Sequence, residues 1–235
     1  MWSLFNGGAD IEALKQFWTG LDWSVLTNIL TSIIPAFLCI TIHELCHGFV
    51  AYKLGDNTAK NAGRLTLNPI KHIDIVGLIS MVFLRFGWAK PVPVNMNNFK
   101  NPKSGMAITA LAGPLSNVIL AALCFFIYGI IYVPALKLGT FGVFLIQTVG
   151  TTGILSCSLA VFNILPIPPM DGSKILFSFL PEEQYYKLMR YERFGMIILL
   201  VLLITNVINP LINFLAGGLI SILNPLTQLG FQLVN

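Results

Sequence analysis

The stretch CITIHELCHGFVAYKLG, residues 39–55, sets two histidines and a glutamate inside a run that otherwise reads as membrane helix. In a helix, residues four apart lie on one face, so His43 and His47 can aim imidazole nitrogens at one ion. Glu44 sits about 100° round the axis and can reach a water held there. This HExxH spacing is that of two metal ligands and a general base on one helical turn. At this chain's histidine and glutamate content, chance supplies such a pentapeptide on the order of once in a thousand chains of this length. The bland alternative is a polar cluster packed between helices. Ionisable residues near mid-membrane cost roughly 2.5 kcal/mol or more each, so they normally mark function or line a polar cavity.

The rest of the chain supports the membrane reading. Apolar residues make up 55% of the 235, charged residues only 10%, and the mean hydropathy is +0.77, against about 25% charged in soluble domains. The expected fold is an all-α polytopic membrane protein: about four full transmembrane helices, a re-entrant or interfacial segment and a small β-hairpin-like element. Residues 1–22 read as an interfacial N-terminal segment with near-helical apolar spacing, and no basic n-region marks a cleaved signal. Residues 23–193 read as the membrane-embedded core, and 194–235 as a C-terminal transmembrane segment and tail. Within the core the spans run from about Trp23 to Tyr52, 105 to 133 and 141 to 163. Residues 75–88, IVGLISMVFLRFGW, are too short to cross comfortably and read as re-entrant. A last apolar run extends from Phe194 to about Ile222. Cys39, Cys46, Cys124 and Cys157 lack CxxC spacing and read as small core hydrophobes.

Of the 14 lysines and arginines, all but Lys15 and Lys137 fall in 53–104 or 173–193. The positive-inside rule makes both segments cytoplasmic and the N-terminus external. The charge of +4 thus reads as topology, and no nucleic-acid partner is expected.

A catalytic zinc takes three protein ligands and keeps one position open, so a third ligand must come from elsewhere. His72 and Asp74 lie in a loop at the interface, and Asp171 lies in NILPIPPMDG, residues 163–172. Pro166, Pro168 and Pro169 exclude regular helix there, and non-helical backbone at membrane depth is tolerated only when buried or lining a cavity. Depth agrees, since His43 lies ~15 Å short of the cytoplasmic end of its span and Asp171 follows the end of another. Asp171 is therefore favoured, and a turn aspartate before glycine is its bland reading.

HELCH, AGPLSN at 112–117, GWAKPVPVN at 87–95 and NILPIPPMDG together resemble the site-2 protease family of intramembrane zinc metalloproteases, in a compact form without PDZ or CBS modules. The resemblance implies one zinc per chain on His43, His47 and Asp171, with Glu44 as base and Asn163 assisting at the scissile carbonyl. Asn163 otherwise reads as a helix-end residue bonding backbone. Asn117 is a candidate substrate contact, although Ala112, Gly113 and Ser116 beside it suggest close helix packing. The implied substrate is a single-span membrane protein, cut within or near its span in regulated intramembrane proteolysis. Such a substrate must unwind to expose its carbonyls. RLTLNP and AKPVPVN read as short strands, so Pro91, Val92, Pro93 and Val94 offer an edge for β-augmentation, or else a hairpin plugging the cytoplasmic mouth. His72 is a structural histidine, a transient ligand or a pH-sensitive group.

The competing class is a membrane metal transporter, or a non-catalytic metal-binding membrane protein. A transporter favours ionisable groups spread along a path across the bilayer, whereas here they gather at one depth. The expected setting is the bilayer of a cell's plasma membrane, if prokaryotic, with the site towards the cytoplasm. The sequence leaves oligomeric state open.

Overall fold

The computed structural model describes residues 23–77, 80 and 88–234. The interfacial segment expected at 1–22 and most of the re-entrant run at 75–88 lie outside these residues. Helices are α1 (Trp23–Lys53), α2 (Thr58–Asn61), α3 (Pro102–Leu136), α4 (Thr140–Ile164), α5 (Asp171–Ser178), α6 (Glu182–Ile204) and α7 (Asn209–Gln232). Within α1, residues Thr27–Lys53, together with α3, α4 and α7, are long and apolar enough to cross a membrane. The chain is an integral multi-pass membrane protein.

Small residues let these helices approach closely, as expected where packing must replace the hydrophobic effect. A Cβ on Gly129 of α3 would lie 2.9 Å from Gly230 Cα of α7, and one on Gly153 of α4 would lie 3.3 Å from Cys124 Cβ of α3. Ala121, Phe125 and Cys157 form a buried knot capped by Leu219, Ile220 and Leu223. Cys39 Sγ meets Ser156 Oγ at 3.0 Å and joins α1 to α4. All four cysteines are unpaired, and Cys39, Cys124 and Cys157 are buried as small core residues. Because Ala121 and Phe125 are level with Leu219–Leu223 and Gly129 with Gly230, α7 runs parallel to α3.

The apolar run read as one span from Phe194 to Ile222 is two helices. It breaks at residues 205–208, where Asn206 adopts φ 61, a left-handed conformation that asparagine tolerates better than most residues. Pro210 then opens α7 in its first turn, where a missing N–H costs nothing.

The expected hairpin is also modified. Among the described residues there is no sheet, only an isolated antiparallel bridge between Ile73 and Ala89, extended by Lys90 N–H donating to the His72 carbonyl at 2.9 Å. RLTLNP does not pair with AKPVPVN. Pro91 and Pro93 remove alternate donors and stop the ladder after one step.

Candidate metal centre

α1 presents His43 and His47 one turn apart, both buried. Asp171 reaches them from the first position of α5. Its glycine neighbour explains the reach: a Cβ at Gly172 would lie 2.0 Å from the Ile164 carbonyl oxygen and 2.5 Å from that of Leu165. Only glycine lets the chain fold back so tightly after α4. His43 Nε2 and His47 Nε2 each lie 3.1 Å from Asp171 Oδ2, and 3.0 Å from one another. Among the described residues, this trio is the group whose His and carboxylate donor atoms could hold one metal ion, all within 4.8 Å of one another.

The partner behind His47 fits a metal. His47 Nδ1 lies 2.7 Å from the Thr109 carbonyl, which can only accept. The proton therefore sits on Nδ1 and leaves the Nε2 lone pair facing the centre, the usual arrangement of a ligating histidine. Two neutral imidazoles and a carboxylate match the donor set of a catalytic zinc site. Space is also arranged for them. A Cβ at Gly113 of α3 would stand 2.4 Å from His47 Cε1 and Nε2 and 2.6 Å from His43 Cε1. The close packing expected of AGPLSN is thus helix backbone against the two imidazole rings.

Glu44 lies beside the trio and accepts the Val92 N–H on Oε2 at 2.8 Å. A cavity of about 730 Å³ opens there, lined among others by His43, Glu44, Val92, Asn163 and Asp171. Pro91 and Val94 also line it, whereas Pro93 does not. Lys174 of α5 and Glu192 of α6 pair at 3.5 Å in its wall.

The remaining candidates sort clearly. Asn163 lines the cavity, and its Nδ2 donates to the Leu159 carbonyl at 2.9 Å. Asn117 is wholly buried and meets His43 Nδ1 at 3.2 Å. His72 is buried too, with Nε2 bonded to the Thr66 carbonyl at 2.9 Å. Asp74 caps the Gly77 N–H at 2.9 Å. Neither His72 nor Asp74 belongs to the donor trio. Sequence reading did not single out Thr109, Gly172, Asp56 or Arg64. Thr109 acts through its backbone and had no signal, whereas Arg64 counted only towards the basic segment 53–104.

The model of peptidase family M50 matches residues 129–207. The chain is 40% identical over 195 residues to YwhC of Bacillus subtilis, covering 81% of this chain and 88% of that protein. It is 34% identical over 156 residues to MJ0611 of Methanocaldococcus jannaschii, covering 66% and 73%. Against Rip2 of Mycolicibacterium smegmatis it is 30% identical over 176 residues, covering 73% and 66%. Each of the three is named "Putative zinc metalloprotease". No solved structure matches the chain.

Proposed function

The chain belongs to peptidase family M50, the site-2 protease family, and from that premise we propose that it is a zinc metalloprotease cutting a peptide bond within or next to the span of a membrane protein. The observation that carries this reading is the convergence of His43, His47 and Asp171 beside Glu44, in a cavity walled by membrane helices.

His43, His47 and Asp171 would hold one zinc per chain. When bound, zinc supplies Lewis acidity that makes water a nucleophile near neutral pH and polarises a carbonyl. Glu44 is the base. Val92 N–H occupies its Oε2, which leaves Oε1 to take the proton of the attacking water and later pass it to the leaving amine. Asn163 faces the same cavity and has a second amide N–H to offer a developing oxyanion, a contact typically worth about 2.7 to 4 kcal/mol. The substrate span unwinds to present its backbone, and the extended chain around Val92 and Val94 receives it. The distribution of lysine and arginine supports a site towards the cytoplasm, and in a prokaryotic cell the membrane would be the plasma membrane.

The test is cleavage of a tagged single-span protein by the full chain in zinc-supplied bilayer nanodiscs, with cut sites mapped by mass spectrometry. Cuts should fall in the cytoplasmic half of the span or at that boundary, stop on chelation and resume with zinc. Glycine or asparagine placed near that depth should speed cleavage relative to leucine, because less energy is needed to open the helix. Zinc-loaded protein that leaves a panel of such spans intact would overturn the reading.

A further inference from the structure

The two metal-facing histidines differ in what stands behind them. Thr109, Gly113 and Asn117 are four residues apart and form one stripe along α3. Gly113 makes room for both rings, while Thr109 meets Nδ1 of His47 and Asn117 meets Nδ1 of His43. A backbone carbonyl is only an acceptor, so the tautomer of His47 has no alternative. An asparagine amide has a donor end and an acceptor end, and either can face His43.

In this structure the donor end does. Asn117 Nδ2 stands 3.2 Å from His43 Nδ1, and Asn117 Oδ1 is buried with no hydrogen-bond partner. With Nδ2–H donated to Nδ1, the His43 proton must sit on Nε2, where it is donated to Asp171 Oδ2 at 3.1 Å. That tautomer cannot ligate through Nε2, because the lone pair is used by the proton. Turning the amide end for end brings Oδ1 to Nδ1. The ring then loses a proton from Nε2 and gains one at Nδ1, remains neutral, and opens its lone pair to the centre. The orphaned oxygen acquires a donor in the same movement.

We infer that Asn117 is a positioning residue that sets the tautomer of His43, and thereby how tightly the site keeps its metal. The inference rests on the reading of His43, His47 and Asp171 as zinc ligands. It adds a role to the substrate contact expected of Asn117, which is wholly buried, belongs to the cavity lining and meets the ring nitrogen remote from Asp171. Loss of such an outer partner typically costs 10–100-fold in metal affinity.

The experiment compares zinc affinity, by chelator competition on the full chain in nanodiscs, for wild type, Asn117→Leu, Asn117→Ala and Asn117→Asp. Leucine keeps the volume without a polar end, and alanine provides a second loss variant should leucine misfold. Both should bind zinc about 10–100-fold more weakly than wild type. Asn117→Asp keeps an acceptor against Nδ1 and should stay within a few-fold of wild type. Thermal unfolding of the zinc-free forms gives the discriminating readout. The buried carboxylate should make Asn117→Asp no more stable than Asn117→Ala, so a purely structural role predicts no rescue of affinity. Wild-type affinity in the leucine or alanine variant, or an aspartate variant no tighter than alanine, overturns the inference. A wild type that takes up no zinc overturns the metal-site reading itself, and this inference with it.

Discussion

The Val92 backbone N–H donates to Glu44 Oε2 at 2.8 Å, so the extended segment beside the site is seated on the carboxylate next to the donor trio. Pro91 and Pro93 flank it without N–H groups, which makes Val92 the one donor of that tripeptide. The segment is tied at both ends as well. Arg64 Nη2 donates to the Lys90 carbonyl at 2.6 Å, and Asn95 N–H donates to Asp56 Oδ2 at 2.7 Å. Glu44 and the segment that faces the cavity are thus fixed relative to one another through the loop after α1.

Asp56 is the anchor whose removal should separate positioning from metal binding. It is fully buried and also accepts from Asn98 Nδ2 at 2.7 Å and Thr58 N–H at 3.0 Å. Asp56→Ala should cost roughly 2–4 kcal/mol of stability, because several donors lose a charged acceptor. Zinc content should be unchanged while cleavage falls. Burial pushes the Asp56 carboxyl up, but hydrogen bonds from Thr58, Asn95 and Asn98 outweigh it and hold it below its ordinary value. Its stabilisation is therefore complete above the unfolded value of about 3.9 and is lost as pH falls through the lower folded value. Thermal unfolding followed from pH 5 to 3 should show a shallower acid loss in the variant than in wild type. Equal slopes would remove Asp56 from this role.

Asp171→Ala should lose zinc to dialysis against a mild chelator, and Asp74→Ala should keep it. The first removes one of three converging donors, while the second removes only a cap on the Gly77 N–H. Elemental analysis showing loss from the Asp74 variant alone would mean that the wrong acid has been assigned.

Gly113→Ala should also empty the site, although alanine favours helix over glycine by about 1 kcal/mol. Its methyl would press on His43 and His47 at 2.6 and 2.4 Å. Gly217→Ala, where a Cβ meets nothing within 4 Å, is the matched control and should leave zinc binding intact. Retention of zinc at wild-type affinity by the Gly113 variant would contradict the close approach of α3.

Lys137 follows the C-terminal end of α3 and is assigned to the outer face. A cysteine at that position, Lys137→Cys, should react with an impermeant maleimide added to intact cells, provided Cys46 and the buried cysteines give no background. Labelling only after the membrane is opened would invert the topology, and with it the side on which products emerge.

The parts of the site that were legible in the sequence are those whose side chains carry the chemistry. HELCH gave two converging donors and a neighbouring carboxylate because a helix returns every fourth residue to one face, and the proline break before Asp171 marked non-helical backbone that must line something. Thr109, which acts through its carbonyl, and Gly113, which acts by lacking a Cβ, leave no comparable sign. AGPLSN therefore read as packing, correctly for Gly113, but without indicating that the packed objects are the two histidine rings. Val207 and Ile208 concealed the break between α6 and α7 inside an apolar run, although Asn206 and Pro210 mark it. RLTLNP and AKPVPVN read as short strands of a hairpin, but extended chain without alternate N–H groups cannot continue a ladder, and the bridge at Ile73 and Ala89 is isolated.

The most direct measurement is zinc content and peptide cleavage on the same purified sample of Glu44→Gln in nanodiscs, beside wild type. Glutamine keeps the shape of the side chain and an oxygen for Val92 N–H, but it cannot take a proton from water. The expected result is one zinc per chain in both proteins, with cleavage of the single-span substrate abolished in the variant. Cleavage at wild-type rate by the zinc-loaded glutamine variant would contradict the assignment of Glu44 as the base at a His43, His47 and Asp171 metal centre.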